Sequence, residues 1–120
     1  MNSNIRVVTF DGLVERYKEM YMEVKKEYNM KTFSDLVFED NKWIDGVQSR
    51  MMFDNGYGIS VIRSKFSYGG KMGLYEIGIL DSEGDICYNT PVTDSGVIGY
   101  LREEDVTEAM RRIQELKPIQ

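Results

Sequence analysis

Apolar residues in the first quarter of the chain recur at Leu13, Tyr17, Met20, Tyr21, Val24 and Tyr28, a spacing that draws one stripe along an α-helix. Glu15, Lys18, Glu19, Glu23, Lys26 and Glu27 fill the other face, Asp11 is a candidate N-cap and Asn29 a candidate left-handed stop. Before this helix, "IRVVTF" (residues 5–10) has the β-branched content of a short strand. A second helical stripe, Val106, Ala109, Met110, Ile113 and Leu116, runs from about Glu103 until Pro118 stops it, with Glu103, Glu104 and Asp105 placed to favour the positive end of the helix dipole.

Between the helices the period changes to two. "TFSDLVFEDN" reads as a short helix, with Thr32 and Asp35 spaced as a cap. Asn55-Gly56 is the favoured pair of a two-residue hairpin turn, which would set Asp54 opposite Tyr57, Met52 opposite Ile59 and Arg50 opposite Val61. "GISVIRS" and "GLYEIGIL" are strands, the second with Tyr75, Ile77 and Ile79 on one side. "DSEGD" (81–85) closes another hairpin onto "ICY", and "NTPVTDSG" is loop. The pattern predicts a single α+β domain over residues 1–120, an antiparallel sheet of three to five strands packed against an N-terminal and a C-terminal helix. A chain of 120 residues is long enough to bury one core without disulfides or a structural metal.

Composition narrows the chemistry. With no histidine there is no Ser-His or Cys-His nucleophile pair, no His-based zinc site and no ordinary proton shuttle near neutral pH. Cys87 is the only cysteine, so no internal disulfide forms, and its strand-like surroundings suit a small buried apolar side chain. No pair of carboxylates is singled out by spacing, and an enzyme built on Glu76 with a lysine is the weakest reading. The expectation is a protein that is not an enzyme and needs no cofactor or metal. Trp43 is read as a core anchor, with an interface residue as the alternative, and Met20, Met51 and Met52 as core filling, although methionine also suits an adaptable binding surface. No apolar run reaches the length of a membrane span, and "MNSNIRVVTFDG" lacks a signal peptide's pattern, so a cytoplasmic protein without membrane contact is expected.

The net charge of −5 is unevenly spread. Residues 81–108 carry eight acids and one base, whereas residues 46–80 carry two acids and four bases. An acidic chain is a poor ligand for double-stranded DNA, because such affinity comes from neutralising phosphates. The cations of the central segment gather in "RSKFSYGGKMG" (63–73), which lacks both the Walker spacing and the dinucleotide fingerprint. What remains is a cationic, aromatic connection between strands. Its contact candidates are Arg63, Lys65, Phe66, Tyr68 and Lys71, joined by Tyr57 from the hairpin turn, and they suit a protein partner, or a nucleotide held by stacked rings and cations. The competing reading is a plain connection whose aromatics fold back onto the core.

From "FDNGYGISVIR" through "YGGKMGLYEIGILDSEGDICYNTPVTDSGVIGYLREEDV" the chain resembles small uncharacterised accessory proteins of bacteriophages. The shared pattern falls at Phe53–Gly58, Tyr68–Gly70, Gly73–Glu76, Tyr88–Pro91 and Ile98–Leu101, the last opening a helix. Arg102 stands where such proteins have a capping threonine, so the start of that helix is expected to fray. The resemblance implies a non-enzymatic accessory protein in the host cytoplasm that binds and inhibits a host protein, antiviral defence components being candidate targets. Sequestration of a nucleotide signal and a housekeeping role in the phage are its alternatives, and a homo-oligomer is compatible with each.

Overall fold

The computed structural model describes the backbone of residues 10–119 and the side chains of residues 12–24 and 29–119. The chain divides into two compact units at Met30/Lys31, and each is described by itself. The expected strand at residues 5–10 lies outside the described residues except for Phe10, which belongs to the first helix.

The first unit holds α1, Phe10–Tyr28. Its apolar stripe forms as the spacing requires, but Leu13, Tyr17, Met20 and Val24 stand 55 to 73 % exposed, so Met20 is not core filling. Tyr28 ends the helix without a left-handed Asn29, since Asp45 and Tyr100 are the non-glycine residues with positive φ among those described.

The second unit is a five-stranded antiparallel sheet in chain order, β1 (Glu39–Asn41), β2 (Gly46–Met52), β3 (Gly58–Ser64), β4 (Tyr75–Leu80) and β5 (Val97–Leu101), followed by α2 (Glu103–Gln114). With a helix at each end of the described chain the fold is α+β. Alternation puts Ile59 and Val61 of β3 and Tyr75, Ile77 and Ile79 of β4 on one face, against Val106, Ala109, Met110 and Ile113 of α2. All are buried, and Ile59, Val61, Ile79, Val106, Met110 and Ile113 have no exposed surface. Each such side chain contributes roughly 1.5–3 kcal/mol of burial. Cys87 packs partly buried against this core.

Side chains tie α2 down at both ends. At its start the Asp105 carboxylate accepts the Arg102 N–H at 3.0 Å, the reciprocal half of a capping box that needs no threonine, which offsets the expected fraying. At its end the Asn55 amide donates to the carbonyls of Ile113 (2.8 Å) and Leu116 (3.2 Å), satisfying acceptors that a helix C-terminus leaves open. Thr107 accepts the Phe33 N–H at 3.0 Å and so fixes the single 3-10 turn Phe33–Asp35, whose Asp35 carboxylate accepts the Thr32 N–H. The expected short helix in "TFSDLVFEDN" is this one turn, and Glu39–Asn41 goes to β1.

Three local expectations are corrected. The Asn55-Gly56 hairpin closes one residue earlier than a two-residue turn would, because Phe53 and Tyr57 form the terminal pair (Phe53 N–H to Tyr57 O, 2.7 Å) around a three-residue loop with Gly56 at φ 91°. This bulged loop shifts the register, so that Met51 faces Ile59 and Arg50 faces Ser60, while Met52 turns outward. "DSEGD" makes its turn, with Asp81 N–H bonded to Asp85 O, but the return is an isolated bridge between Leu80 and Ile86 rather than a strand. Ile98–Leu101, expected to open the final helix, instead belong to β5.

Candidate functional site

The topology brings three segments to one end of the sheet. Gly46, which opens β2, pairs with Ser64, which closes β3, so the β1–β2 turn (42–45) and the β3–β4 loop (65–74) project from the same end. Leu101, closing β5, pairs with Tyr75, opening β4, and adds Tyr100 to that end. Tyr57 precedes β3 and lies at the opposite end, about 20 Å away at a strand's rise per residue. The structure therefore separates Tyr57, half-buried against the core, from the other five candidates.

Loop 65–74 is held in shape from within. The Ser64 hydroxyl accepts the N–H groups of Phe66 (3.2 Å) and Ser67 (3.1 Å), and the Ser67 hydroxyl donates to the Ser64 carbonyl at 2.9 Å. Lys65 and Phe66 occupy the two corners of this turn and point away from the core. A 3-10 turn, Gly70–Met72, follows between Gly69 and Gly73, both left-handed with φ 89° and 77°. Gly70 has no substitute here, since a Cβ at that position would coincide with the Ser64 carbonyl oxygen.

A bulge in β5 anchors the loop from below. Between the pairs Tyr75–Leu101 and Ile77–Ile98, the two residues Gly99 and Tyr100 oppose Glu76 alone, and Tyr100 takes φ 59°. The Tyr100 N–H, freed from the ladder, donates to the Tyr68 carbonyl at 3.1 Å, and the Tyr68 N–H donates to the Glu76 carboxylate at 2.9 Å. A Cβ on Gly99 would overlap the Tyr68 side chain, so glycine permits this docking. Glu76 is thus occupied as a support for the loop.

The outcome is a rim of exposed rings on a fixed backbone. Phe66 is 76 % exposed, Tyr68 63 % and Tyr100 60 %, with the Tyr68 and Tyr100 rings near-parallel at 6.5 Å between centroids. The aromatics do not fold back onto the core. Met72 is exposed beside them, and Trp43, expected in the core, stands 97 % exposed at the tip of the β1–β2 turn. The Lys65 ammonium lies 3.0 Å from the Asp45 carboxylate and 5.2 Å from the centre of the Phe66 ring, which ties the turn to the loop. Both ends of that ion pair are solvated, so it orders the surface more than it stabilises the fold. Lys71 is exposed and has no acidic partner among the described residues.

Arg63 is the exception among the cations. Its guanidinium donates to the Tyr75 hydroxyl at 3.2 Å and sits 5.0 Å from the centre of that ring, which also packs on Phe33 and Phe38. That anchors Arg63 to the end of the core. Four of the six sequence candidates, Lys65, Phe66, Tyr68 and Lys71, share the exposed loop surface, which gains Trp43, Met72 and Tyr100, while Arg63 is exposed at the same end but held by Tyr75. Tyr100 is brought in by the bulge and carries no local sequence signal. Trp43 also borders an open groove of about 700 Å³ beside β1, with Val37 and Arg50, which includes none of the six.

Chemically, the rim offers aromatic faces and ammonium groups but few free backbone donors. The N–H groups of Phe66, Ser67, Tyr68, Gly70, Met72, Gly73 and Leu74 are all engaged within the loop or by Glu76. A phosphate cradle of the glycine-loop kind depends on such donors pointing outward. Among the described residues no helix is long and apolar enough to cross a membrane. Comparisons of the chain with known protein families, with curated proteins and with solved structures find no match.

Proposed function

We propose that the protein is a non-enzymatic binding module whose aromatic and cationic rim docks onto a protein partner. The observation that carries this reading is the exposure of Phe66 and Tyr68 on a loop fixed by its own hydrogen bonds and by Glu76, beside the exposed Tyr100 of β5. Large rings held outward favour water-excluding contact with another surface, and a loop ordered beforehand gives up little entropy on association. Tyr, Trp, Phe and Met are also the residue types enriched at protein interfaces. The resemblance to phage accessory proteins supplies the context, a host protein as the partner and inhibition by occlusion as the effect, with a cytoplasmic site of action.

A protein partner is favoured over a nucleotide because most backbone donors of loop 65–74 are already engaged. A nucleotide would have to rely on side-chain cations alone, and of those Arg63 is held by Tyr75 and Lys65 by Asp45. Affinity capture from host extract tests the reading. The triple variant Lys65→Glu, Phe66→Ser, Tyr68→Ser should keep the circular dichroism and melting profile of the parent and lose the protein that the parent retains. Retention of the same protein by the variant would remove the rim from the interface, and tight binding of a nucleotide by calorimetry would replace the reading altogether.

A further inference from the structure

Helix α1 carries a second surface, distinct from the rim. Its apolar stripe has the alternating four-and-three spacing of a coiled-coil seam over Leu13, Tyr17, Met20 and Val24, and these four side chains are exposed. The charges beside this seam are not symmetric. At about 100° per residue, Arg16 and Glu23 fall within about 20° of each other along one edge of the stripe, two turns apart and of opposite sign. The opposite edge carries Val14 and Tyr21. The exposed Lys18 and Glu15, which pair with each other at 3.7 Å, lie away from the seam.

That asymmetry selects an occupant and a direction. In an antiparallel helix pair related by a two-fold axis, like edges face each other. With the axis at the level of Lys18 and Glu19, Leu13 meets Val24 of the second copy and Tyr17 meets its Met20, and both pairs recur by symmetry. At the same register Arg16 falls within two residues, about 3 Å along the axis, of the level of Glu23 of the second copy, on the same edge and within reach of a long side chain, and by symmetry Glu23 stands likewise to its Arg16. The apolar edges meet on the other side. A parallel pair would set each charged edge against the Tyr21 edge and leave both charges unmatched. We infer that α1 is a self-association helix, pairing antiparallel with α1 of a second copy through Leu13, Tyr17, Met20 and Val24, with Arg16 and Glu23 setting the register.

Sedimentation of the full chain over a concentration series tests this. The parent should show a concentration-dependent dimer, and Met20→Glu should abolish it. Arg16→Glu alone and Glu23→Arg alone should each weaken the dimer about tenfold, since two attractive contacts become two repulsive ones. The double variant Arg16→Glu, Glu23→Arg should restore it, and an equimolar mixture of the two single variants should form heterodimers tighter than either variant's own dimer. Circular dichroism reports whether each variant keeps its helix. A monomer at every concentration, as when the stripe is covered within one chain, overturns the inference. So does a dimer that survives Met20→Glu, or one indifferent to the charge exchange.

Discussion

Helices α1 and α2 announce themselves in the same way and end in opposite conditions. Each has an apolar stripe at helical spacing with charged residues opposite. In α2 the stripe is Val106, Ala109, Met110 and Ile113, all buried against β3 and β4, whereas in α1 Leu13, Tyr17, Met20 and Val24 remain exposed. Periodicity states that one face of a helix is suited to leaving water, and nothing about what covers it. The covering surface depends on long-range partners, the alternating β3 and β4 in one case and, by the inference above, a second copy of the chain in the other.

Truncation separates the two conditions most strongly. Met110→Ala, or Ile113→Ala, opens a cavity in a close-packed core and should cost about 2–5 kcal/mol, read as a lowered denaturant midpoint. Met20→Ala, measured at protein concentrations low enough to keep the chain monomeric, should stay within about 0.5 kcal/mol of the parent, as exposed positions do. Equal losses at both positions would mean that the α1 stripe is as covered as that of α2.

The rim is a third condition, exposed apolar surface on a rigid support, and Gly70 is where that support is tightest. Gly70→Ala forces a Cβ into the Ser64 carbonyl, so the loop must shift, at an expected cost of about 1–3 kcal/mol. Hydrogen exchange should show faster opening at the amides of residues 66–70 while the α2 core stays protected. Unchanged exchange there would mean that the Ser64–Ser67 clasp does not hold the loop.

The smallest effect concerns the charged face of α2. The Arg111 guanidinium, hydrogen-bonded to the Glu108 carboxylate, holds that carboxyl below its ordinary value of 4.5. A depressed carboxylate pKa contributes stability that is fully present above the unfolded-state value and is lost as pH falls through the lower folded-state value. Both groups are solvent-exposed, so the expected effect is a slight acid-side loss in the parent that Glu108→Gln removes. Midpoints in urea between pH 5 and pH 2.5 would show it, and superimposable profiles would assign the pair no role.

How much of this was legible in the sequence varied with the range of the interactions involved. The α2 stripe and the alternation of Tyr75, Ile77 and Ile79 could be read directly, because burial on one face imposes the period. The β2–β3 register differs by one residue from the one a two-residue Asn55-Gly56 turn implies. Asn55-Gly56 serves a two-residue turn and a three-residue bulged loop equally well, and the Asn55 side chain is engaged by the carbonyls of Ile113 and Leu116, far away in sequence. Strand β5 was hidden by its own bulge, which places Gly99 and Tyr100 together opposite Glu76 and destroys the alternation that marks a strand. In the rim, local composition pointed to Lys65, Phe66, Tyr68 and Lys71. It could not exclude Tyr57, which a strand's length separates from them, nor supply Tyr100, which only the β4–β5 pairing delivers. The sequence leaves Trp43 between core anchor and interface residue and favours the core, and the β1–β2 turn holds it in solvent.

The docking role of the rim is tested most directly by photocrosslinking in host cells, with a photoreactive phenylalanine analogue placed in turn at Phe66, Tyr68, Tyr100 and, at the far end of β2, Met52. The account predicts one discrete crosslinked protein, the same from the three rim positions and absent from Met52. Crosslinks from Met52 alone, or none from any rim position, would contradict it.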